Sequence, residues 1–199
     1  MIKTKKELRF YIQEDRKRNG QDRGRIRYLM SLMAGSEQAH AFKYLKCLRH
    51  EEYHINNKGF LHKLLAAYFH VRLGRMGLRY CITIHPNICG YGLKIMHLSG
   101  GGGILINCNR IGNYCSVNSG TLIGNVGNNE NRPFIGDYVA FGPGAKAFGK
   151  ITIGDNVFVA PNAVVTKDVA ANSIVAGVPA KLLRKTKLED NIVYQRYHR

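Results

Sequence analysis

Residues 135–170 read IGDYVA FGPGAK AFGKIT IGDNVF VAPNAV VTKDVA, six hexapeptides that follow one another without an insertion. The first position of each hexapeptide is apolar and mostly large: Ile135, Phe141, Ala147, Ile153, Val159 and Val165. The fifth position is apolar and often small: Val139, Ala145, Ile151, Val157, Ala163 and Val169. This period fits neither an α-helix nor a flat strand, which repeat about every 3.6 and about every 2 residues. It predicts short strands joined by turns, three of which close one triangular coil of about 18 residues in a solenoid.

The same register extends toward the N-terminus through Ile111, Val117 and Ile123. Glycine takes the second position of three hexapeptides: Gly136, Gly142 and Gly154. We expect these glycines to turn the chain tightly, because they lack a Cβ atom. A regular β-sandwich is the alternative, but strands of about 5 to 6 residues plus loops would give a longer and less regular spacing. We therefore predict a mainly β fold, a parallel β-helix built as a hexapeptide-repeat solenoid.

An N-terminal α-helical region precedes the repeats. Apolar residues recur at helical spacing in three stretches: Ile26, Leu29, Met30 and Met33; Phe42, Leu45 and Leu48; and Leu61, Leu64, Leu65, Tyr68 and Phe69. Asn57 and Gly59 indicate a break before the third stretch. After Tyr80 the composition shifts to Gly, Asn, Ile and Val. We predict a basic helical region at 1–80, the β-helix domain at 81–180 and a basic C-terminal tail at 181–199.

The chain is strongly basic, with a formal net charge of +17 over its 199 residues. Residues 1–80 hold 18 Lys and Arg against 7 Asp and Glu, so most of the excess lies in the helical region. A basic surface attracts polyanions such as anionic lipids or phosphorylated carriers. No nucleic-acid-binding motif accompanies the charge. We interpret it as a solvated helical surface, expect no nucleic-acid partner, and keep peripheral contact with an anionic membrane or a lipid-linked saccharide as an alternative.

The five cysteines are odd in number and include no CxxC pair. They indicate neither a disulfide framework nor a zinc site, and we expect buried thiols. The opening stretch MIKTKKELRF carries charge too often for a secretory signal, and no apolar run approaches the roughly 18 residues of a membrane span. We expect a cytoplasmic protein, with membrane association as an open alternative.

Six motifs carry a resemblance to a known family: IHPN at 84–87, GYGLKIMH at 90–97, GGILIN at 102–107, RIGNYCSV at 110–117, FGPGAKAFG at 141–149 and AGVPAKLL at 176–183. With them the chain resembles the hexapeptide-repeat acyltransferases, and more narrowly the serine acetyltransferases with their capsule and exopolysaccharide acetyltransferase relatives. The motifs span about half of the chain. The resemblance implies a left-handed parallel β-helix, acetyl-CoA as co-substrate, and a homotrimer whose active sites lie between subunits.

The resemblance assigns the catalytic role to His97 by its place in GLKIMHLSGG. Imidazole suits the general base of acetyl transfer, because its unperturbed pKa lies near working pH. His85 is a weaker candidate, for the acceptor pocket or one end of the coil. Serine acetyltransferases carry an aspartate before the IHP motif that orients the catalytic histidine, and this chain has Thr83 there. Another group must then orient His97.

A loop with the sequence NVGNNENRPF interrupts the repeats at 125–134. Such an excursion from a solenoid is a natural place to bind an acceptor, and we assign this role to Asn125 and Arg132. In serine acetyltransferases the loop supplies an Arg-His pair for the carboxylate of serine, whereas Pro133 follows Arg132 here. We therefore favour a saccharide hydroxyl in capsule or exopolysaccharide synthesis as acceptor. Serine O-acetylation for cysteine biosynthesis is the alternative.

By motif position the resemblance assigns acetyl-CoA binding to six residues: Gly124, Gly142, Pro143, Ala160, Pro161 and Lys181. The glycines fit turn geometry equally well. Zinc enzymes of this fold bind the metal through three histidines, and the coil offers only His85 and His97, so we predict no metal. A non-catalytic structural β-helix is the alternative from a different class, but it would not require the motif around His97.

Overall fold

The computed structural model describes residues 1–22, 24–127, 130–191 and 193–195. Four α-helices come first: α1 (Lys5–Arg18), α2 (Arg25–Met33), α3 (Glu37–Ile55) and α4 (Phe60–Tyr80). Fourteen strands follow in the described residues: β1 (Ile82–Ile84), β2 (Lys94–Met96), β3 (Ile104–Ile106), β4 (Arg110–Ile111), β5 (Ser116–Asn118), β6 (Leu122–Gly124), β7 (Phe134–Ile135), β8 (Ala140–Phe141), β9 (Lys146–Phe148), β10 (Thr152–Ile153), β11 (Val157–Val159), β12 (Val164–Val165), β13 (Ser173–Ala176) and β14 (Lys181–Lys185). A short 3-10 helix covers Leu188–Asp190.

The strands form a parallel β-solenoid with three sheets, as the repeats predict. The five-strand sheet has the order β1-β3-β6-β9-β12, the three-strand sheet β10-β7-β4, and the six-strand sheet β14-β13-β11-β8-β5-β2. Ala140 pairs with Phe158, and Lys146 pairs with Val164, in both cases 18 residues further along the chain. Only β14 runs antiparallel to its neighbour among the described strands.

The apolar hexapeptide positions fill the inside of the solenoid. The first positions are 0–1% exposed: Ile135, Phe141, Ala147, Ile153, Val159 and Val165. The earlier residues Ile111, Val117 and Ile123 are fully buried as well, which confirms that the register extends toward the N-terminus. Val169 is only partly buried, because it lies near the last turn of the coil. Stacked coils thus share one continuous apolar interior.

The second-position glycines serve close stacking instead of the tight turning that we expected. None of Gly136, Gly142 and Gly154 has a positive φ. A Cβ on Gly142 would lie 2.7 Å from the backbone nitrogen of Pro161, and one on Gly154 would lie 2.5 Å from that of Ala171. These distances are too short for a real Cβ contact. Glycine therefore lets the backbones of successive coils approach each other.

The helical stretches are confirmed, and α1 is an additional helix that the periodicity did not single out. α3 ends at Ile55 and α4 begins at Phe60, at the predicted break. Phe42, Leu45 and Leu48 of α3 are buried. The apolar residues of α2 are different, because Ile26 and Met33 are about four-fifths exposed, at 77% and 81%. An apolar helix face thus stays uncovered in the single chain.

Arg49 of α3 joins the helices to the start of the coil. Its fully buried guanidinium donates to Asp15 of α1 at 2.8 Å and to Glu52 at 3.0 Å. It also donates to the carbonyl oxygens of Cys89 and Gly90, at 2.9 and 2.6 Å. Buried charges are tolerated when they are paired and hydrogen-bonded in this way. The helical region is therefore fixed to the solenoid.

Side chains from α3, α4 and the coil belong to one apolar cluster. α4 ends at Tyr80, and β14 begins at Lys181, close to the predicted domain limits. The division into three regions stays a prediction. Cys81 is exposed, against our expectation of buried thiols, because it ends α4 in a left-handed conformation at the surface; the other four cysteines are buried. No helix in the described part of the chain is long and apolar enough to cross a membrane.

Candidate active site

The triangular coil has three edges, and two of them carry the predicted site residues. We call the edge between the six-strand and five-strand sheets the His97 edge, and the edge between the five-strand and three-strand sheets the loop edge. His97 follows β2 directly and is exposed, with a φ of 57°. Its carbonyl oxygen accepts a hydrogen bond from the N–H of Gly100 at 3.1 Å. A tight turn therefore presents the imidazole at the surface.

Most of the predicted acetyl-CoA residues share the His97 edge. Gly142 and Pro143 follow β8, whereas Ala160 and Pro161 follow β11, so both pairs leave the six-strand sheet as His97 does. Lys181 begins β14, just after a turn in which Ala180 N–H donates to Val164 O at 2.8 Å. Lys181 is exposed. The structure brings these five residues to one edge, in successive coils.

Gly124 and the predicted acceptor residues lie on the loop edge instead. His85 follows β1 and is exposed, and Gly124 ends β6. Asn125 accepts a hydrogen bond from Asn107 at 3.4 Å, and Arg132 accepts one through its carbonyl oxygen from Asn109 at 3.1 Å. Of the predicted loop, residues 128 and 129 lie outside the described residues. The rest leaves the solenoid between β6 and β7.

The two halves of the predicted site are therefore separated within one chain. His97 lies on one edge of the prism, whereas His85, Asn125 and Arg132 lie on another. A solenoid cannot bring two of its edges together without unfolding. A single site containing both halves requires the His97 edge of one chain to meet the loop edge of a second chain.

Glu37 is a residue near His97 that the sequence analysis missed. It is the first residue of α3, and its carboxylate accepts hydrogen bonds from the backbone N–H of Ser99 at 3.1 Å and from the Ser99 hydroxyl. The Ser99 hydroxyl, the N–H groups of Ser99 and Leu98 and the nearby His97 imidazole hold the pKa of Glu37 below its ordinary value. Glu37 and Ser99 are 62 residues apart in sequence, so no local sequence pattern could have revealed this contact.

Comparisons of sequence and of structure with known proteins both find serine acetyltransferases. The chain is 32% identical over 136 residues to a serine acetyltransferase from Buchnera aphidicola, covering 66% of this chain and 50% of the relative. It superposes on a serine acetyltransferase from Neisseria gonorrhoeae in complex with serine with a TM-score of 0.65 and 26% identity, over 90% of this chain and 70% of the other. The chain is a homologue of the serine acetyltransferases in the hexapeptide-repeat acyltransferase superfamily.

This serine acetyltransferase homologue spans about half the length of curated relatives that it matches, with 50%, 43% and 39% of three of them covered. It matches no protein-family model. Its fold is also that of a serine acetyltransferase from Brucella abortus in complex with coenzyme A, with a TM-score of 0.66 and 22% identity over 92% of this chain and 70% of that one.

Thr83 of this homologue lies on the outer face of the five-strand sheet, where it is exposed and pairs with Leu105. It lines a cavity of about 760 Å³ between α4 and the sheet, together with His85 and Leu78. Apolar side chains make up much of the wall, and His97 is not among its lining residues in the described chain. The cavity is therefore separate from the turn that carries His97.

The buried cysteines of the homologue are poor nucleophiles. Burial raises the pKa of Cys108 and of Cys115 to about 12 and that of Cys47 to about 11. A thiol is reactive as its thiolate, so these groups are unsuited to a covalent acetyl intermediate near neutral pH. The described residues include no group of three or more His, Cys, Asp or Glu that could hold a metal ion. The exposed imidazole of His97, by contrast, has the chemistry that proton transfer requires.

Proposed function

We propose that the chain is an acetyl-CoA-dependent O-acetyltransferase with His97 as its general base. The observation that carries this proposal is the exposed His97 on the same edge as Gly142, Pro143, Ala160 and Pro161. His97 takes the proton of the acceptor hydroxyl while the hydroxyl oxygen attacks the thioester carbonyl carbon. The tetrahedral intermediate then breaks its C–S bond, and the departing coenzyme A sulfur receives the proton from the imidazolium.

We infer that acetyl-CoA binds along the His97 edge, with its thioester beside the imidazole. Pro143 and Pro161 are exposed on this edge in successive coils, so they offer a surface to an extended pantetheine arm. The exposed Lys181 follows on the same edge and is suited to the nucleotide phosphates. Gly124 lies on the loop edge and would reach the same cofactor only from a neighbouring chain.

We infer a homotrimer whose sites each combine two chains. The His97 edge would supply the base and the cofactor surface, and the loop edge of the neighbour would supply His85, Asn125 and Arg132. Closed cyclic symmetry lets every chain use both edges at once. The separation of these edges within the single chain supports this assembly.

L-Serine is the acceptor that the relatives favour, since those described above are serine acetyltransferases. This reverses the order of the sequence analysis, which put a saccharide first. The guanidinium of Arg132 has the chemistry to bind the carboxylate of serine, because guanidinium groups bind carboxylates in a planar fork. Serine is therefore the first acceptor to test.

A saccharide hydroxyl is the second candidate, and a basic groove on the helices favours it. Lys43, Arg72, Arg75 and Arg79 line a cavity of about 630 Å³ beside Tyr68. Neighbouring apolar side chains of α4 are more than half exposed, such as Leu61 at 64% and Leu64 at 57%. Exposed apolar and cationic groups on one helix suit the surface of an anionic membrane or the phosphate of a lipid-linked saccharide.

The test is acetyl transfer from acetyl-CoA, measured as release of free coenzyme A with L-serine, nucleotide sugars and oligosaccharides as acceptors. We expect transfer to L-serine, and a fall of about 10²- to 10⁴-fold in His97→Ala because a general base is lost. His62→Gln, a change on α4, is the control and should keep wild-type turnover. Transfer to a saccharide alone would select the second candidate. Wild-type turnover in a folded His97→Ala protein would refute the mechanism.

A further inference from the structure

The turn that carries His97 is held from outside the coil. Gly100 N–H closes the turn on the carbonyl oxygen of His97 at 3.1 Å. Glu37, at the start of α3, accepts the Ser99 N–H at 3.1 Å and the Ser99 hydroxyl. One carboxylate thus accepts hydrogen bonds from both donors of Ser99, the second residue after the proposed base. The helical region is connected to the proposed chemistry through this contact.

The same carboxylate also interacts electrostatically with the imidazole of His97. Hydrogen bonds from Ser99 are the main cause of the lowered pKa of Glu37, and the electrostatic interaction with His97 contributes in the same direction. Glu37 is therefore ionised at neutral pH. Its position in the first turn of α3 adds to this, because the N-terminal end of a helix favours an anionic side chain.

We propose that Glu37 is the positioning residue of His97, which fixes the turn of residues 97–100 and supplies the neighbouring carboxylate charge. Thr83, which stands in β1 at the position of the orienting aspartate, is uncharged and cannot supply this carboxylate. The role of Glu37 rests on the proposed function of His97 as base. When His97 takes the acceptor proton it becomes a cation, and a fixed anion beside it stabilises that cation. The turn held by Ser99 keeps the imidazole in a constant place while this happens.

Three substitutions separate charge from turn geometry. Glu37→Gln keeps an oxygen that can accept from Ser99 but removes the charge. Ser99→Ala keeps the charge and the N–H donor but removes the hydroxyl. Glu189→Gln changes an exposed acid in the 3-10 helix and is the matched control. Each protein is first tested for an unchanged melting temperature.

The decisive measurement is the ring ¹⁵N spectrum of His97 in the histidine-labelled full-length protein, assigned with His97→Gln. We expect Glu37→Gln to move the His97 ring resonances, while Glu189→Gln leaves them in place. In the acetyl-transfer assay, kcat of Glu37→Gln should fall about 2- to 5-fold, because the imidazolium loses the interaction with a partly exposed anion. The KM for acetyl-CoA should stay at its wild-type value.

Unchanged His97 resonances in a folded Glu37→Gln protein would overturn the proposal. Equal spectral effects of Ser99→Ala and Glu37→Gln would overturn the contribution of the Glu37 charge, because Glu37 would then act on His97 only through the turn. If the wild-type protein acetylates none of the acceptors, the proposed function fails on its own. The ring spectra still decide whether Glu37 positions His97 in that case.

Discussion

Single atoms decide how closely the coils of this solenoid can stack. At Gly142 the missing Cβ leaves room for the backbone of Pro161, whereas Gly74 in α4 has nothing within 4 Å of the place where a Cβ would be. The two glycines therefore have opposite effects on stability. The first is required by packing, and the second lies in a helix interior, where glycine is a poor helix former.

We predict that Gly142→Ala and Gly74→Ala change stability in opposite directions. The added methyl group at Gly142 forces the neighbouring backbone to shift, which should lower the free energy of unfolding by about 1–3 kcal/mol. The same change at Gly74 should raise it by about 0.5–1 kcal/mol. Chemical denaturation of both variants measures the difference. An equally stable Gly142→Ala protein would contradict the stacking role of this glycine.

Helices α3 and α4 form a hairpin whose interface contains several histidines. His50 and His54 both stack on Phe69, with ring centroids 5.0 and 5.7 Å apart. His54 also makes a hydrogen bond to His62 between their Nδ1 atoms at 2.9 Å, which requires at least one neutral ring. Burial lowers the pKa of His50 and of His54, and nearby cationic groups lower each further. The interface therefore favours neutral imidazoles.

Acidification should destabilise this hairpin. Below the ordinary histidine pKa of 6.5 the unfolded chain binds protons that the folded His50 and His54 do not yet bind. The free energy of unfolding therefore falls as the pH drops through this range. We expect the melting temperature to fall between about pH 7.5 and about pH 5.5, and His54→Phe to lose less over the same interval. An identical pH dependence in the variant would exclude a role for His54.

At the scale of the whole molecule, the fold keeps the proposed base and the proposed acceptor residues apart. His97 and Arg132 occupy different edges, and a rigid coil holds them there. The exposed apolar residues of α2 and α4 indicate further surface that a single chain leaves uncovered. Both features favour a working unit of more than one chain.

Subunit mixing tests this assembly. His97→Ala and Arg132→Ala should each be inactive alone, but co-expression should restore about a quarter of the wild-type activity. In random trimers about one site in four takes its His97 edge from an Arg132→Ala chain and its loop edge from a His97→Ala chain, and only such a site is intact. Light scattering should give about three times the chain mass of 22.4 kDa. The control is a mixture of His97→Ala with His97→Asn, which should stay inactive. A fully active monomer would refute the shared site.

The hexapeptide phase was sufficient to predict the solenoid, its buried positions and the 18-residue register. Inward-facing positions of a solenoid recur at the period of the sequence repeat, so the spacing alone predicts that residues such as Phe141 and Val159 are buried. Helices α2 and α4 were also predictable from their periodicity. The exposure of their apolar residues was not predictable, because an apolar stripe does not identify the surface that covers it.

Residue identity and spacing likewise singled out His97, but not its surroundings. The distance of 62 residues between Glu37 and Ser99 is closed only when α3 docks on the coil through Arg49. In the same way, the assignment of His97 and Arg132 to different edges depends on how three sheets meet around one axis. Local patterns encode contacts within one repeat or one helix. Contacts between a helix and a coil, or between two edges, arise from packing in three dimensions, and the tertiary structure alone decides them.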